Sequence, residues 1–383
     1  MRRQDSPQYA LDRLDPRRIV FARELRGMTK KQLAETIRKT SSAISRIERG
    51  MIRPDLETFV TLSFALRVPA SFFIQKEHTA LPIDLDSCHF RSLRSLSQTL
   101  RRQSARKGDL FMDFAELLAS RNIVFPQEQI SDFSASAASD PDIEEAAADL
   151  RRHWKMGLGP IPNLVQMLES KGIMVLPLPD ACHQVDAYST WRGKRPCIFL
   201  SFQKSASRVR FDISHELGHL VLHEDISTGD AKTERQASRF AGAFLAPAEA
   251  FCEECPRKWN LEAFRELKLR WKMSVAALLF RAKDLGCISV SAFQRAMIQL
   301  GKNNMRKNEG EEWPAEQPVL IAQALDLLKD TVTLEELAGE LSVYPGELRQ
   351  MLALCVPADL LEKIDRKNES AADSAKILRL WQN

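Results

Sequence analysis

The sequence predicts a mainly α-helical protein with one small β-sheet, an α+β architecture. Apolar residues recur at three- and four-residue spacing through most of the 383 residues, which is the period of amphipathic helices. Strand-like runs are confined to 173–178, 187–191 and 197–200. Polar connections at 74–90, 126–140 and 302–318 separate an all-α N-terminal part, a central part that holds the sheet and a C-terminal helical part. The expected boundaries are a flexible arm over 1–17, a first domain over 18–75, a helical linker over 76–140, a central domain over 141–300 and a helical domain over 301–383. The length suits two or three domains.

Composition narrows the class. Hydrophobic residues at 44% and charged residues at 28% are ordinary for a globular chain. No run of about 18 apolar residues is present, and the polar start Met1-Arg2-Arg3-Gln4-Asp5-Ser6 has no signal core. A cytoplasmic, nucleoid-associated location without membrane attachment is expected. The 7 cysteines are odd in number and scattered, which reads as a reduced compartment. Cys252 and Cys255 have C-x-x-C spacing but no second pair to close a tetrahedral metal site, and read as incidental thiols. Net charge is only +4, yet residues 1–53 carry 14 Lys/Arg against 6 Asp/Glu. The basic front end is therefore the candidate nucleic-acid surface.

A helix is predicted from Arg18. Thr29 then has the position of an N-cap before Lys30-Lys31-Gln32-Leu33-Ala34, and a short connection through Arg38 leads to Ser41-Ser42-Ala43-Ile44-Ser45-Arg46-Ile47-Glu48-Arg49-Gly50. Two short helices joined by a tight turn, the second closed by Gly, form a helix-turn-helix. Over about residues 18–73 this stretch, with the following L-E-T-F-V-T-L, closely resembles the xenobiotic-response-element (XRE, Cro-type) repressor family. The resemblance implies that Ser41, Ser42, Ser45 and Arg46 face base edges of double-stranded operator DNA, that Lys30 meets phosphate, and that the protein binds two half-sites as a homodimer. Arg38 stands where the family often has Gly, so a strained or altered turn is expected there. The competing reading is a helix-turn-helix used only for protein contact, against which the basic surplus argues.

Between residues 91 and 107 six Lys/Arg occur, at 91, 94, 101, 102, 106 and 107, as a solvated helix or as a second phosphate-contacting stripe. Helices are expected over about 111–118, 141–154 and 163–170, followed by the three strands. The central stretch is His215-Glu216-Leu217-Gly218-His219-Leu220-Val221-Leu222-His223, inside the apolar-periodic run 211–223. Residues four apart share a helix face, so His215 and His219 can address one ion, with Glu216 roughly 100° round the helix. That is the arrangement of two zinc ligands and a carboxylate placed to take a proton. His223 lies about 12 Å along a straight helix from His215, and reads as supporting the site from behind or as a surface residue. Glu234 is the better third ligand. It lies three before Ala237 in a second helix with apolar residues at 237, 240, 241, 244 and 245, and a carboxylate on such a face needs a partner.

The string F-D-I-S-H-E-L-G-H-L-V-L-H followed by E-x-x-A-x-x-F-A-x-x-x-L-x-P resembles the ImmA/IrrE metallopeptidase family, with upstream support around 186–191 and 205–212. The resemblance implies a zincin-like domain with His215, His219 and Glu234 on Zn²⁺ and Glu216 as the base. It also offers Tyr188 or His223 for an oxyanion, and the 197–201 strand as the edge that pairs with extended substrate. It implies a regulator that cleaves a repressor, antitoxin or other partner in stress response, phage defence or mobile-element control. The alternative is a DNA-binding regulator, or a toxin–antitoxin component, whose zinc is structural or sensory. Helices follow over 261–269, 275–285 and 290–300. A second helix-turn-helix-like spacing at 333–352 lacks a basic face and reads as packing or protein contact.

Overall fold

The N-terminal helices form by local signals that can be named. The structure, a computed structural model, describes residues 6–74, 83, 89–90, 97–130, 139–179, 185–223, 230–302, 305, 309–310, 312–365 and 378–379. Helix α1 (Pro7–Asp12) precedes α2 (Pro16–Leu25), whose N-cap Asp15 accepts from the Arg17 amide. A flexible arm over 1–17 was expected. Of it, residues 7–12 are helical and fixed by packing, with Ala10 and Leu11 buried and Arg53 donating to the Leu11 carbonyl. Residues 1–5 lie outside the described residues. Helices α3 (Lys30–Thr36) and α4 (Ser41–Glu48) carry side-chain caps from Thr29, in a capping box with Gln32, and from Thr40. Arg38, in the turn between them, has φ 55°, the left-handed conformation that costs a non-glycine residue about 1–2 kcal/mol. Helix α5 (Leu56–Leu66) and a 3₁₀ turn (Ala70–Phe73) complete this unit. Buried Arg23 ties α2 to α4 by donating to Glu48 at 2.5 Å.

Strand β1 (His89–Phe90) precedes α6 (Gln98–Ser120) and β2 (Ile123–Val124). Helix α6 departs from the expected linker: Ala105, Phe111, Phe114 and Leu118 are buried. Two of the six residues of the expected basic stripe are structural too. Arg106 donates to Glu24 of α2 at 3.1 Å and to Asp109 at 2.6 Å, Arg102 lies 3.5 Å from Glu24, and Arg91 and Arg94 fall outside the described residues. Helices α7 (Asp140–His153) and α8 (Leu164–Ser170) lead into β3 (Met174–Pro177), β4 (Ala187–Arg192) and β5 (Arg195–Leu200). Sheet order is β1-β4-β5-β3. Strand β5 runs antiparallel to β4 and parallel to β3, so it is interior and has no free edge. The expectation that 197–201 pairs with substrate is therefore overturned; β4 flanks it on one side, and the short β1 pairs antiparallel with β4, His89 opposite Ser189, as the edge.

Both faces of this sheet are covered. Cys197 and Phe199 belong to one hydrophobic core with α6, while Ile198 and Leu200 belong to a second core on the opposite face, as strand alternation requires. The second core is built by α9 (Ala206–Leu222), α10 (Ala231–Leu245), α11 (Ala248–Glu254), α12 (Leu261–Trp271), α13 (Val275–Asp284) and α14 (Val290–Lys302). Gly108 sits where α6 crosses the sheet, and a Cβ there would lie 2.4 Å from the Tyr188 hydroxyl oxygen.

The C-terminal helices α15 (Leu320–Leu328), α16 (Leu334–Leu341), α17 (Pro345–Leu352) and α18 (Ala358–Asp365) share the first core with α6 and the N-terminal helices. Strand β6 (Leu378–Arg379) pairs in parallel with β2. Arg26 of α2 holds Glu347 of α17 at 2.5 and 2.7 Å, and Arg121 holds Glu340 of α16 at 2.5 Å. The acidic 333–352 pair of helices is thus committed to packing. The connection before α15 also differs from a loose linker. Glu309 accepts from the amides of Val275 and Ala276 at the start of α13, Glu312 from Ser207 at the start of α9, and Glu316 from Leu164 and Val165 at the start of α8. Three glutamates therefore cap three helix N-termini, where unpaired donors and the helix dipole favour an anion. No helix among the described residues is long and apolar enough to cross a membrane.

Candidate metal centre and DNA-facing helix

Helix α9 places His215 and His219 one turn apart, and α10 lies across it. Gly218 permits the crossing, because a Cβ there would stand 3.1 Å from the Phe240 ring and 3.2 Å from the Ala237 backbone. Ala237 is one turn beyond Glu234, so this close approach brings the Glu234 carboxylate over the two imidazoles. The His215 and His219 Nε2 atoms are 3.1 Å apart, and Glu234 oxygens lie 3.3 Å from the first and 3.5 Å from the second. Among the described residues this is the one group of three metal-type side chains whose donor atoms lie within 4.8 Å of one another. These separations are the size expected of donors that share one ion at bonds of roughly 2.0–2.2 Å. The donor set and its spacing fit a zinc ion.

The imidazoles are oriented from behind. His215 Nδ1 meets the Ser238 hydroxyl at 3.2 Å. His219 Nδ1 meets His223 Nδ1 at 3.1 Å, and His223 Nε2 meets Gln236 Oε1 at 3.1 Å. The amide oxygen can only accept, so His223 Nε2–H donates to it. Neutral His223 then accepts at Nδ1 from His219 Nδ1–H, which leaves the His219 Nε2 lone pair aimed at Glu234 and His215. Burial, with His219 as the next cause, pushes His223 down to about 4, in keeping with the neutral ring. Burial raises Glu234, but its close pairing with the His215 and His219 rings outweighs it and holds the carboxyl down at about 2, in the ionised form a ligand needs.

Glu216 is fully buried beside the triad, and its Oε2 accepts from the Ser189 hydroxyl of β4 at 2.7 Å. Ser189 faces α9, so its neighbour Tyr188 must face the opposite side of the sheet. Tyr188 is buried there, stacked on Phe199 at 4.7 Å between ring centroids, and its hydroxyl donates to the Ser104 carbonyl of α6 at 3.0 Å. The expected oxyanion role of Tyr188 is therefore corrected: it binds the sheet to α6. His223, the other oxyanion candidate, is buried and spends both ring nitrogens on His219 and Gln236. Ser189, Gln236 and Ser238 were missed in the sequence. Ser238 carried a signal, since it lies four residues after Glu234 on the same helix face; Ser189 is joined to Glu216 only by tertiary contact.

On α4, Ile44 and Ile47 are buried while Ser41, Ser42 and Arg46 are exposed and Ser45 is half-buried, so the expected reading face points to solvent. Lys30 is exposed at the start of α3 and lies 3.4 Å from Glu48. Arg38, Lys39 and Arg49 extend the exposed basic surface around these residues.

A helix-borne H-E-x-x-H with a carboxylate from the next helix is the side-chain pattern that zinc peptidases use to hold their ion. Residues 168–283 match the family described as IrrE N-terminal-like domain, a peptidase family, and residues 21–73 match the helix-turn-helix family. The chain thus carries, in one sequence, a stretch similar to helix-turn-helix domains and a stretch similar to the IrrE N-terminal-like peptidase family. No curated protein matches the chain.

Proposed function

We propose that this chain is a DNA-binding transcriptional regulator whose central domain is a zinc-dependent endopeptidase of narrow specificity. Its substrate is a protein partner such as a repressor or antitoxin. It sits on operator DNA as a homodimer, with Arg46 and the α4 serines at base edges and Lys30 at phosphate. The observation that carries the reading is the convergence of His215, His219 and Glu234 beside a buried Glu216. In this reading the three side chains hold Zn²⁺, which when bound supplies Lewis-acid polarisation. Ser189 orients Glu216 through its hydrogen bond. Glu216 takes the proton from the attacking water and delivers it to the leaving amine. Enclosure of His215, His219 and Glu216 keeps bulk water from competing for these bonds.

A second reading keeps zinc but no cleavage, and one observation favours it: β1 already occupies the side of β4 at Ser189, where an extended substrate would add as a strand. The two readings separate in one experiment. The zinc-loaded chain is incubated with the products of neighbouring genes and cuts are sought by mass spectrometry. Cleavage predicts one discrete cut, reduced about 10²–10⁴-fold by Glu216→Gln, with zinc content unchanged. Glu234→Ala is expected to lose the zinc itself, read by metal analysis. Full zinc with no cut in any neighbour supports the second reading; a cut that survives Glu216→Gln removes Glu216 from the chemistry. For DNA, Arg46→Ala is expected to lose about 1–3 kcal/mol of sequence discrimination in a binding assay, and unchanged discrimination excludes α4 as the reading helix.

A further inference from the structure

The C-x-x-C pair that the sequence left as incidental thiols has a third partner. Cys252 on α11 and Cys287, just beyond α13, stand with their sulfurs 2.8 Å apart, although 35 residues separate them in the chain. That spacing is inside the contact distance of two sulfurs and outside a disulfide bond of about 2.05 Å. Cys255 also meets the Cys287 thiol and reaches the Pro256 carbonyl at 3.7 Å, but only Cys252 stands at 2.8 Å from Cys287. The three sulfurs do not make a metal cage, because the one mutually close group of three metal-type donors among the described residues is the His–His–Glu triad. Burial and Cys287 raise the Cys252 thiol by more than Arg281 and Arg257 draw it down.

The geometry points to Cys252 and Cys287 as a reversible disulfide site, formed by reaction with a peroxide and joining α11 to the turn between α13 and α14. Cys252 is the more exposed of the two, so its sulfur meets the oxidant. The Cys252 thiolate attacks one peroxide oxygen, the O–O bond breaks, and a sulfenic acid forms with loss of water or an alcohol. The Cys287 thiolate then attacks that sulfur, the S–O bond breaks, and the second water leaves with the disulfide made. Two electrons pass from the sulfur pair to the peroxide, and a dithiol returns them. Burial and the neighbouring Cys287 thiol push the Cys252 thiol up to about 11. Thiolate is therefore scarce at neutral pH, and the pair answers sustained oxidant rather than traces. The bond would act on the metal-bearing part of the fold. Helix α11 follows α10 directly, and Arg281 of α13 already donates to the Ala246 carbonyl between them at 2.9 Å.

The full-length chain is treated with hydrogen peroxide, alkylated in denaturant without reductant, digested and analysed by mass spectrometry. The expected product is one linked peptide pair, Cys252 with Cys287, two hydrogens lighter than the free thiols and abolished by dithiothreitol. It should be absent in Cys252→Ser and Cys287→Ser and retained in Cys255→Ser. Oxidation should also raise the melting temperature by about 5 °C through loop closure. A Cys252–Cys255 link, or Cys252 and Cys287 both still alkylated after peroxide treatment, overturns the inference. Because the triad contains no sulfur, zinc content should not change, so failure here is independent of the peptidase reading.

Discussion

Gly218 is the residue on which the geometry of the metal centre turns. It lies between the two histidines, and its missing side chain is the space through which α10 brings Glu234 into range. Gly218→Ala is expected to push α10 outward by a few tenths of an ångström, at about 1–3 kcal/mol in stability. Zinc affinity should fall about tenfold, within the range seen when a ligand loses its orientation. Competition against a zinc chelator reads this directly, and unchanged affinity means the helix crossing does not set the triad. His223 works at the same scale. Being buried, it orients His219, a role the motif spacing allowed, while Tyr188 was read into the site by neighbourhood in sequence and is turned away by strand alternation. One residue along a strand decides the face, and a string of letters does not say which face the core will take.

The strap of Glu309, Glu312 and Glu316 is the element-scale feature that composition hid, since three acids in a polar stretch look like solvated linker. Each meets a helix start whose amides lack intrahelical partners, and α9 itself has no side-chain cap of its own. Glu316 also pairs with Arg210, which is 1% exposed and donates to the carbonyls of Lys272 and Ile161 as well. Glu316→Ala leaves that guanidinium buried without its counter-charge, and is expected to cost about 3–5 kcal/mol in chemical denaturation. A cost below about 1 kcal/mol would sink the claim that the strap holds the central domain. Helix α9 is the contrasting case: its periodicity and its H-E-x-x-H spacing were legible because both depend on contacts within one turn or two.

The whole molecule is organised around α6, which joins the N-terminal helices, one sheet face and the C-terminal helices into a single core. Glu169 of α8 links the central domain to α15 by accepting from the amides of Val319 and Leu320. Burial pushes its carboxyl up to about 8, the two backbone hydrogen bonds offsetting only part of that. The folded chain therefore holds this proton more tightly than the unfolded chain, whose glutamate titrates near 4.3. The contribution to stability is complete below that value and is lost as pH rises through about 8. Stability of the natural chain is expected to fall between about pH 5 and 8 relative to Glu169→Gln, which has no such proton to lose. Denaturation curves at several pH values test it, and a difference that does not grow with pH assigns Glu169 another state.

What the sequence determined by itself is what short-range physics writes into it. Helix periods, the cap at Thr29, the left-handed strain at Arg38 and the four-residue spacing of the histidines are all set within a few residues of where they are read. Glu234 was legible for a related reason, as a charge on an apolar helical stripe. Tertiary structure alone decided that β5 is interior and that β1, paired with β4, is the edge on that side. It also decided which way Tyr188 and Ser189 face, that a presumed linker is the central pillar, and that Cys252 meets Cys287. These depend on contacts between residues far apart in the chain, such as the 27 positions between Ser189 and Glu216 and the 84 between Tyr188 and Ser104, where many pairings satisfy the same local pattern and only the burial of both sheet faces at once selects among them.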